Sequence, residues 1–201
     1  MHSGHFHQAK YLLSAHTLGQ LPPDQGVEVA FAGRSNTGKS SVINTLTRQR
    51  ALAKTSKTPG RTQQINFFVL NQWSRLVDLP GYGYAKVPEA AKKHWGAVLA
   101  AYLTNRKSLQ GLVLIVDIRR GLQEFDLRLL EWSRLGGLPV HVLLNKSDKL
   151  SRQAATQALG AAQQQLDSGG CSGASLQLFS ARDKTGVAAL EAWLNQWLQR
   201  C

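Results

Sequence analysis

The sequence predicts an α/β domain: a six-stranded, mainly parallel sheet with one antiparallel edge strand and helices on both faces. Three observations point there. Short apolar runs alternate with amphipathic stretches along most of the chain, the pattern of strands joined by crossover helices. The runs at Val27–Ala32, Leu112–Asp117 and Val140–Leu144 are apolar at nearly every position, as strands covered on both faces are. The 201 residues suit one such domain with terminal extensions.

The elements follow in order. Residues 1–10 are polar and His-rich and read as a flexible tail, leaving residues 11–201 as a single domain. Val27–Ala32 is a strand ending at Gly33, and a helix is expected from near Gly38. Residues 51–64 are polar, basic and contain Pro59-Gly60, which marks a loop. Asn66–Leu70 and Ser74–Asp78 read as a hairpin across Asn71-Gln72-Trp73, and this hairpin supplies the antiparallel edge strand. A helix carrying Trp95, Val98, Leu99, Tyr102 and Leu103 on one face comes next. Leu112–Asp117 is a strand, Gln123–Leu135 a helix, Val140–Leu144 a strand and Ser151–Leu166 a helix. The strand Leu176–Phe179 precedes a closing helix with Leu190, Trp193, Leu194 and Trp197.

Bulk properties narrow the classes. The chain has 24 Lys and Arg against 12 Asp and Glu, a net charge of +12 and a pI near 10.2. Such a surface favours polyanion binding through counterion release, so a nucleic-acid or ribonucleoprotein partner is expected. The longest aliphatic run, Leu112–Val116, is far short of the roughly 20 residues that span a bilayer. The first 16 residues lack the continuous apolar stretch of a signal peptide. Cys171 and Cys201 are too few for a disulfide framework. A cytoplasmic monomer without membrane contact is expected. His2, His5 and His7 lack a completing carboxylate or cysteine, so a metal site is not expected there.

Ligands of parallel sheets bind beyond the carboxyl ends of the strands. Gly33-Arg34-Ser35-Asn36-Thr37-Gly38-Lys39-Ser40 fits G-x-x-x-x-G-K-[ST] between a strand and a helix, followed by Ser41. Its glycines let backbone N–H groups approach phosphates. Lys39 reaches the β- and γ-phosphates and Ser40 ligates Mg2+. Asp78-Leu79-Pro80-Gly81 ends another strand; Asp78 holds Mg2+ through water, and the Gly81 N–H senses the γ-phosphate. Asn145-Lys146-Ser147-Asp148 follows a third. The Asp148 carboxylate accepts the guanine N1–H and N2–H2 donors, which adenine does not present, while Asn145 braces the loop and the Lys146 stem covers the base. After the last strand, Phe179-Ser180-Ala181 offers the Ala181 N–H to guanine O6. A γ-phosphate sensor is needed between residues 51 and 64. Thr55, Thr58 and Thr62 are candidates, and Thr62, in Gly60-Arg61-Thr62-Gln63, lies nearest the following strand. The expected ligands are therefore GTP or GDP and Mg2+, with Lys39, Thr62 and Gly81 carrying the chemistry.

These motifs, in this order, are those of a Ras-like P-loop GTPase domain. Phe31–Ser41, Thr58–Gln63 and Asp78-Leu79-Pro80-Gly81-Tyr82-Gly83-Tyr84-Ala85 closely resemble the EngB (YihA/YsxC) family, a resemblance covering roughly residues 10–199. It places the magnesium-binding threonine at Thr62. It also implies a nucleotide-gated role in assembling the large ribosomal subunit, bound to that subunit or its precursor, with a cell-division and septation defect on loss. Two other readings are a P-loop kinase, against which Asn145–Asp148 speaks, and a basic RNA-binding module with a vestigial nucleotide site. Intact Lys39, Ser40, Asp78 and Asp148 speak against the second.

One part is missing. Ras-type enzymes place a water-orienting glutamine after the D-x-x-G glycine, and here that residue is Tyr82, so intrinsic hydrolysis is expected to be slow. Asn36 matches the position at which TrmE-type relatives bind K+, which suggests a cation or the ribosomal partner as accelerator. The basic groups Arg48, Arg50, Lys54, Lys57 and Arg61, and Lys86, Lys92 and Lys93, border the two nucleotide-sensing loops and are candidates for an RNA-facing surface.

Overall fold

The structure, a computed structural model, describes residues 6–54, 64–83 and 89–198. Among them are seven strands, β1 (Lys10–Ala15), β2 (Val27–Gly33), β3 (Ile65–Val69), β4 (Ser74–Asp78), β5 (Leu109–Asp117), β6 (Val140–Asn145) and β7 (Ser175–Leu178). Five α-helices accompany them: α1 (Lys39–Thr47), α2 (Glu89–Asn105), α3 (Glu124–Leu135), α4 (Arg152–Ser168) and α5 (Val187–Leu198). The strands form one sheet in the order β1-β3-β4-β2-β5-β6-β7. β4, β2, β5, β6 and β7 pair in parallel.

The α/β class and the mainly parallel sheet agree with the sequence reading, but there are seven strands, and the hairpin does not end the sheet. β3 is antiparallel to β4, as expected. β1 adds outside it, also antiparallel, pairing Lys10 with Val69 and Ala15 with Ile65 across a bulge between Tyr11 and Leu13. β1 carries little sequence signal: Lys-Tyr-Leu-Leu-Ser-Ala has neither alternation nor an apolar run of strand length. An edge strand buries little, and only Ala15 in β1 is fully buried.

The expected tail at residues 1–10 is corrected from residue 6 onward. Phe6–Gln8 form a 3-10 turn, and Phe6 and Ala9 are buried among Val42, Ile43 and Phe68. Gln49 Nε2 donates to the Ala9 carbonyl at 2.8 Å and to that of His7 at 3.1 Å, fastening this segment to the end of α1. A lone aromatic among polar residues gives no periodic signal, yet one Phe with a cavity to fill orders its neighbours. Residues 1–5, with His2 and His5, lie outside the described residues.

Alternation along the strands divides the core into two layers. Leu112, Leu114 and Val116 of β5 face α2, α3 and α4, joining Leu99, Tyr102, Leu129 and Leu166. Val113 and Ile115 face α1 and α5, joining Ile43, Leu46, Leu190 and Leu194. Trp193 and Trp197 pack against this second layer while keeping part of their surface exposed. Both faces are covered, so the polar groups that ligands need collect at the strand ends.

At the amino-terminal end of β2, away from the motifs, Glu28 is completely buried. Its carboxylate accepts Tyr102 Oη at 2.9 Å and two bonds from Arg106, Nε at 3.0 Å and Nη2 at 2.7 Å. Arg75 Nε of β4 lies 3.0 Å away. This cluster ties β2 and β4 to the carboxyl end of α2. Removing one charge from such a group leaves the others buried and unmatched. Glu28→Gln is expected to lower the unfolding free energy by about 3–5 kcal/mol, measured by urea denaturation of the nucleotide-free protein.

Candidate functional site

β2 ends at Gly33 and hands the chain to a tight loop that no bulkier residue could follow. A Cβ on Gly33 would lie 2.6 Å from the Ile115 carbonyl oxygen. Within the loop Asn36 is left-handed at φ 66°, and Thr37 Oγ1 returns to the Arg34 carbonyl at 2.8 Å. Gly38 (φ 96°) caps α1 without any side-chain bond. The first-turn N–H groups of α1 have no intrahelical partners, which with the loop amides makes an anion cradle. The neighbouring loop is tied on by a bond from Ser35 N to the Tyr82 carbonyl, 2.9 Å.

Beside the cradle opens a cleft of about 1300 Å3, lined among others by Gly38, Lys39, Ser40, Ser41, Asp78 and Gly81. Asp78 closes β4, paired opposite Phe31 of β2, and is 5 % exposed. Lys39 Nζ donates to Asp78 Oδ1, so the two groups expected at the phosphates and at the magnesium ion face one another. Ser40 Oγ donates to the Lys54 carbonyl at 3.2 Å. Hydroxyl and carboxylate oxygens gathered beside a lysine are hard donors suited to Mg2+ carrying polyphosphate. Leu79 and Pro80 turn inward, Leu79 being 1 % exposed, so this part of the motif braces the loop.

The loop expected to read the base meets the loop expected to hold the phosphates directly. Asn145, 2 % exposed at the end of β6, donates Nδ2 to the Thr37 carbonyl at 2.7 Å. Lys146 is left-handed (φ 67°), and its Nζ donates to the Asn36 carbonyl at 2.5 Å. Ser147 N donates to the Phe179 carbonyl at 3.1 Å; the Phe179 side chain itself is core. Asp148 Oδ1 accepts Ser180 Oγ at 2.8 Å. Asp148 Oδ2 is buried without a hydrogen-bond donor among the described residues, although Lys149 and Arg182 stand 3.5 and 3.8 Å away. A carboxylate fixed on one oxygen with the other still able to accept fits the imide edge of guanine. Thr45 Oγ1 donates to the Ala181 carbonyl at 3.4 Å, which anchors the remaining loop.

The structure thus unites Gly33 to Ser41, Asp78 to Gly81, Asn145 to Asp148 and Phe179 to Ala181 at one end of the sheet. Gly60, Arg61, Thr62 and Gln63 lie outside the described residues, as do Thr55, Lys57, Thr58, Tyr84, Ala85 and Lys86. Of the basic groups, Arg48, Arg50 and Lys54 are exposed, and Arg50 and Lys54 line the same cleft.

Two residues were not singled out from the sequence. Asp117 ends β5 opposite Asn145. It takes Arg119 through Nε at 2.9 Å and Nη2 at 2.7 Å, and Lys146 Nζ at 2.9 Å. Burial would raise its carboxyl, but the bonds from Arg119 and Lys146 outweigh it and hold the group well below the usual carboxylate range. The rule that directed attention to strand ends points equally to this one. Asp126 of α3 is the other: it accepts Tyr82 Oη and caps its own helix by accepting Gln123 N at 2.8 Å. The Tyr82 ring packs on Phe125, centroids 4.5 Å apart.

A family model described as 50S ribosome-binding GTPase matches residues 28–146. The chain is 60 % identical to a probable GTP-binding protein EngB of Nitrosococcus oceani over 193 residues, 96 % of either chain. It is 53 % identical to the protein so named in Coxiella burnetii, over 96 % of this chain and 94 % of that one. Among solved structures, a probable GTP-binding protein engB superposes with a TM-score of 0.67 at 22 % identity, covering 87 % of this chain and 100 % of the other. Era of Aquifex aeolicus, bound to GDP and AlF4-, gives 0.66 at 17 % identity, covering 87 % and 57 %. The two structural matches bear on the fold alone.

A Cβ at Gly38 would stand 2.4 Å from Asn145 Nδ2 on a left-handed backbone. Gly38→Ala is therefore expected to strain both loops by about 1–3 kcal/mol and to weaken guanine-nucleotide binding accordingly, as read by titration with fluorescent GDP.

Proposed function

The chain belongs to the EngB family of GTP-binding proteins, and on that premise we propose that it is a slow, Mg2+-dependent GTPase whose nucleotide state gates its attachment to the assembling large ribosomal subunit. The observation that carries the reading is the bond from Asn145 to the Thr37 carbonyl. It makes one site of a phosphate cradle and a base-reading carboxylate.

In this reading the loop amides and Lys39 neutralise the phosphates, and Asp148 selects guanine. Ser40 and Thr62 would hold a magnesium ion, with Asp78 acting through water; when bound it would supply positive charge to offset that developing on the phosphate oxygens. Water attacks the γ-phosphorus, the bond to the β–γ bridging oxygen breaks, and GDP and phosphate leave. Tyr82 supports the slow rate. Its ring is buried against α3 and its hydroxyl is engaged by Asp126, so it is not placed to orient that water. The accelerator is then external, and K+ at Asn36 is one source. The main-chain carbonyl of Asn36 is taken by Lys146, which leaves the side-chain amide as the group to ligate it.

The ribosomal partner rests on two supports. The matching family model carries a ribosome-binding description. The +12 net charge suits an RNA surface, with Arg50 and Lys54 at the cleft edge where a polyanion would meet the nucleotide site. The requirement for normal division and septation follows from the family resemblance.

Co-sedimentation with large ribosomal subunits at near-physiological salt tests the gating. Strong binding with a non-hydrolysable GTP analogue and weak binding with GDP is expected. Equal binding in apo, GDP and analogue states, fading as salt rises, would leave non-specific RNA affinity and refute the switch. The cation is tested separately: hydrolysis is expected to run faster in K+ than in Na+, and Asn36→Ala to abolish the difference. Equal rates in the two salts would remove K+ from the scheme.

A further inference from the structure

We infer that Asp117 is a positioning residue for guanine-nucleotide binding, acting through Lys146, the residue that both covers the base and clips the phosphate loop. The inference rests on the guanine-nucleotide reading and deepens it.

Lys146 is a four-carbon stem ending in a rotatable ammonium. Two bonds hold it, to the Asn36 carbonyl and to Asp117 Oδ2. Only the second partner is charged, and it stands where its position is fixed by the sheet. Asp117 pairs opposite Asn145 in the β5–β6 register, and the Ile118 N–H bonds the Asn145 carbonyl at 3.0 Å. Asp117 and the base-reading loop are therefore parts of one rigid ladder. The carboxylate is 4 % exposed, so solvent screens its pull on the ammonium little.

Arg119 completes the arrangement. Its fork grips both Asp117 oxygens, and the Asp117 Oδ1 atom also accepts Arg119 N at 3.2 Å. The carboxylate plane is thereby locked, and Oδ2 presents a fixed acceptor to Lys146. A lysine pinned at its tip keeps its apolar stem straight over the place where a purine ring lies. The same pin holds Asn36 in its left-handed turn. Base and phosphate recognition are linked through Asp117 although it touches neither.

The experiment measures GDP and GTP-analogue dissociation constants, the single-turnover hydrolysis rate of bound GTP, and the thermal midpoint of the nucleotide-free protein. Wild type, Asp117→Asn, Lys146→Ala and the double variant are compared. Asp117→Asn is expected to weaken both nucleotides by about ten- to a hundredfold. The single-turnover rate of bound GTP should fall by less than binding weakens, since Asp117 reaches Asn36 and the phosphate loop only through Lys146. The double variant should bind no more than two- to threefold worse than Lys146→Ala alone, because Asp117 acts through Lys146. Additive losses, or Asp117→Asn binding within twofold of wild type, would overturn the inference. If Asp117→Asn does not fold, Lys146→Met decides: it keeps an apolar stem over the base and removes only the ammonium. A ten- to hundredfold loss supports the role, and wild-type binding refutes it. A wild-type protein that bound no guanine nucleotide would sink the parent reading, an outcome distinct from either.

Discussion

One hydrogen bond, from the amide of Asn145 to the carbonyl of Thr37, joins residues 108 positions apart in the chain. Each belongs to a loop that is unfavourable by itself, with left-handed residues at Asn36, Gly38 and Lys146. Such conformations persist only where the surroundings over-determine them. Here the surroundings are the parallel strands: β2 and β6 flank β5, their carboxyl ends align, and the loops that leave them meet. The sheet order therefore matters more to the site than any one side chain. If the β2–β5–β6 order were broken, the phosphate cradle and the base carboxylate would be two unrelated turns.

The parts of this molecule that could be read from its sequence are those with a strong local signature. The apolar strands β2, β5 and β6 and the glycine-lysine loop are stated by consecutive residues, and a parallel sheet then implies where ligands collect. β1 was not legible because an edge strand of Lys, Tyr, Leu and Ser pairs through its backbone, and backbone pairing leaves no compositional trace. The docking of Phe6 was hidden for a similar reason: the core layer it joins, with Val42, Ile43 and Phe68, is built from residues distant in sequence. Within the site, the residues expected at the ligand were legible because phosphate and guanine chemistry dictates their types. Asp117, which holds Lys146, and Asp126, which holds Tyr82, were not, since a carboxylate at a strand end or in a first helical turn has many uses. Tyr82 shows the two cases together. Its inability to orient water follows from its chemistry, whereas its burial against Phe125 and Asp126 needed the fold.

Electrostatics divides the molecule in a way that net charge conceals. Among the described residues, four acidic side chains, Glu28, Asp78, Asp117 and Asp126, are buried. The first three hold Arg or Lys partners within the fold. Asp126 instead accepts from a phenol and a backbone amide, and its burial pushes the carboxyl up from the usual range. Internal acids thus fix geometry. Among the described residues the exposed positions include Arg48, Arg50, Lys54, Arg119 and Arg182, so the surface near the nucleotide cleft is weighted towards cations.

The Glu28 cluster has a mechanical side. Tyr102 and Arg106 fasten the carboxyl end of α2 to β2 and β4. A rod of 17 residues is about 25 Å long, so a tilt of some 10° about that fastening carries the far end roughly 4 Å. The buried carboxylate thus pins one end of that rod. It stands at the amino-terminal end of β2, so the helix is held at the pole of the sheet opposite the phosphate loop.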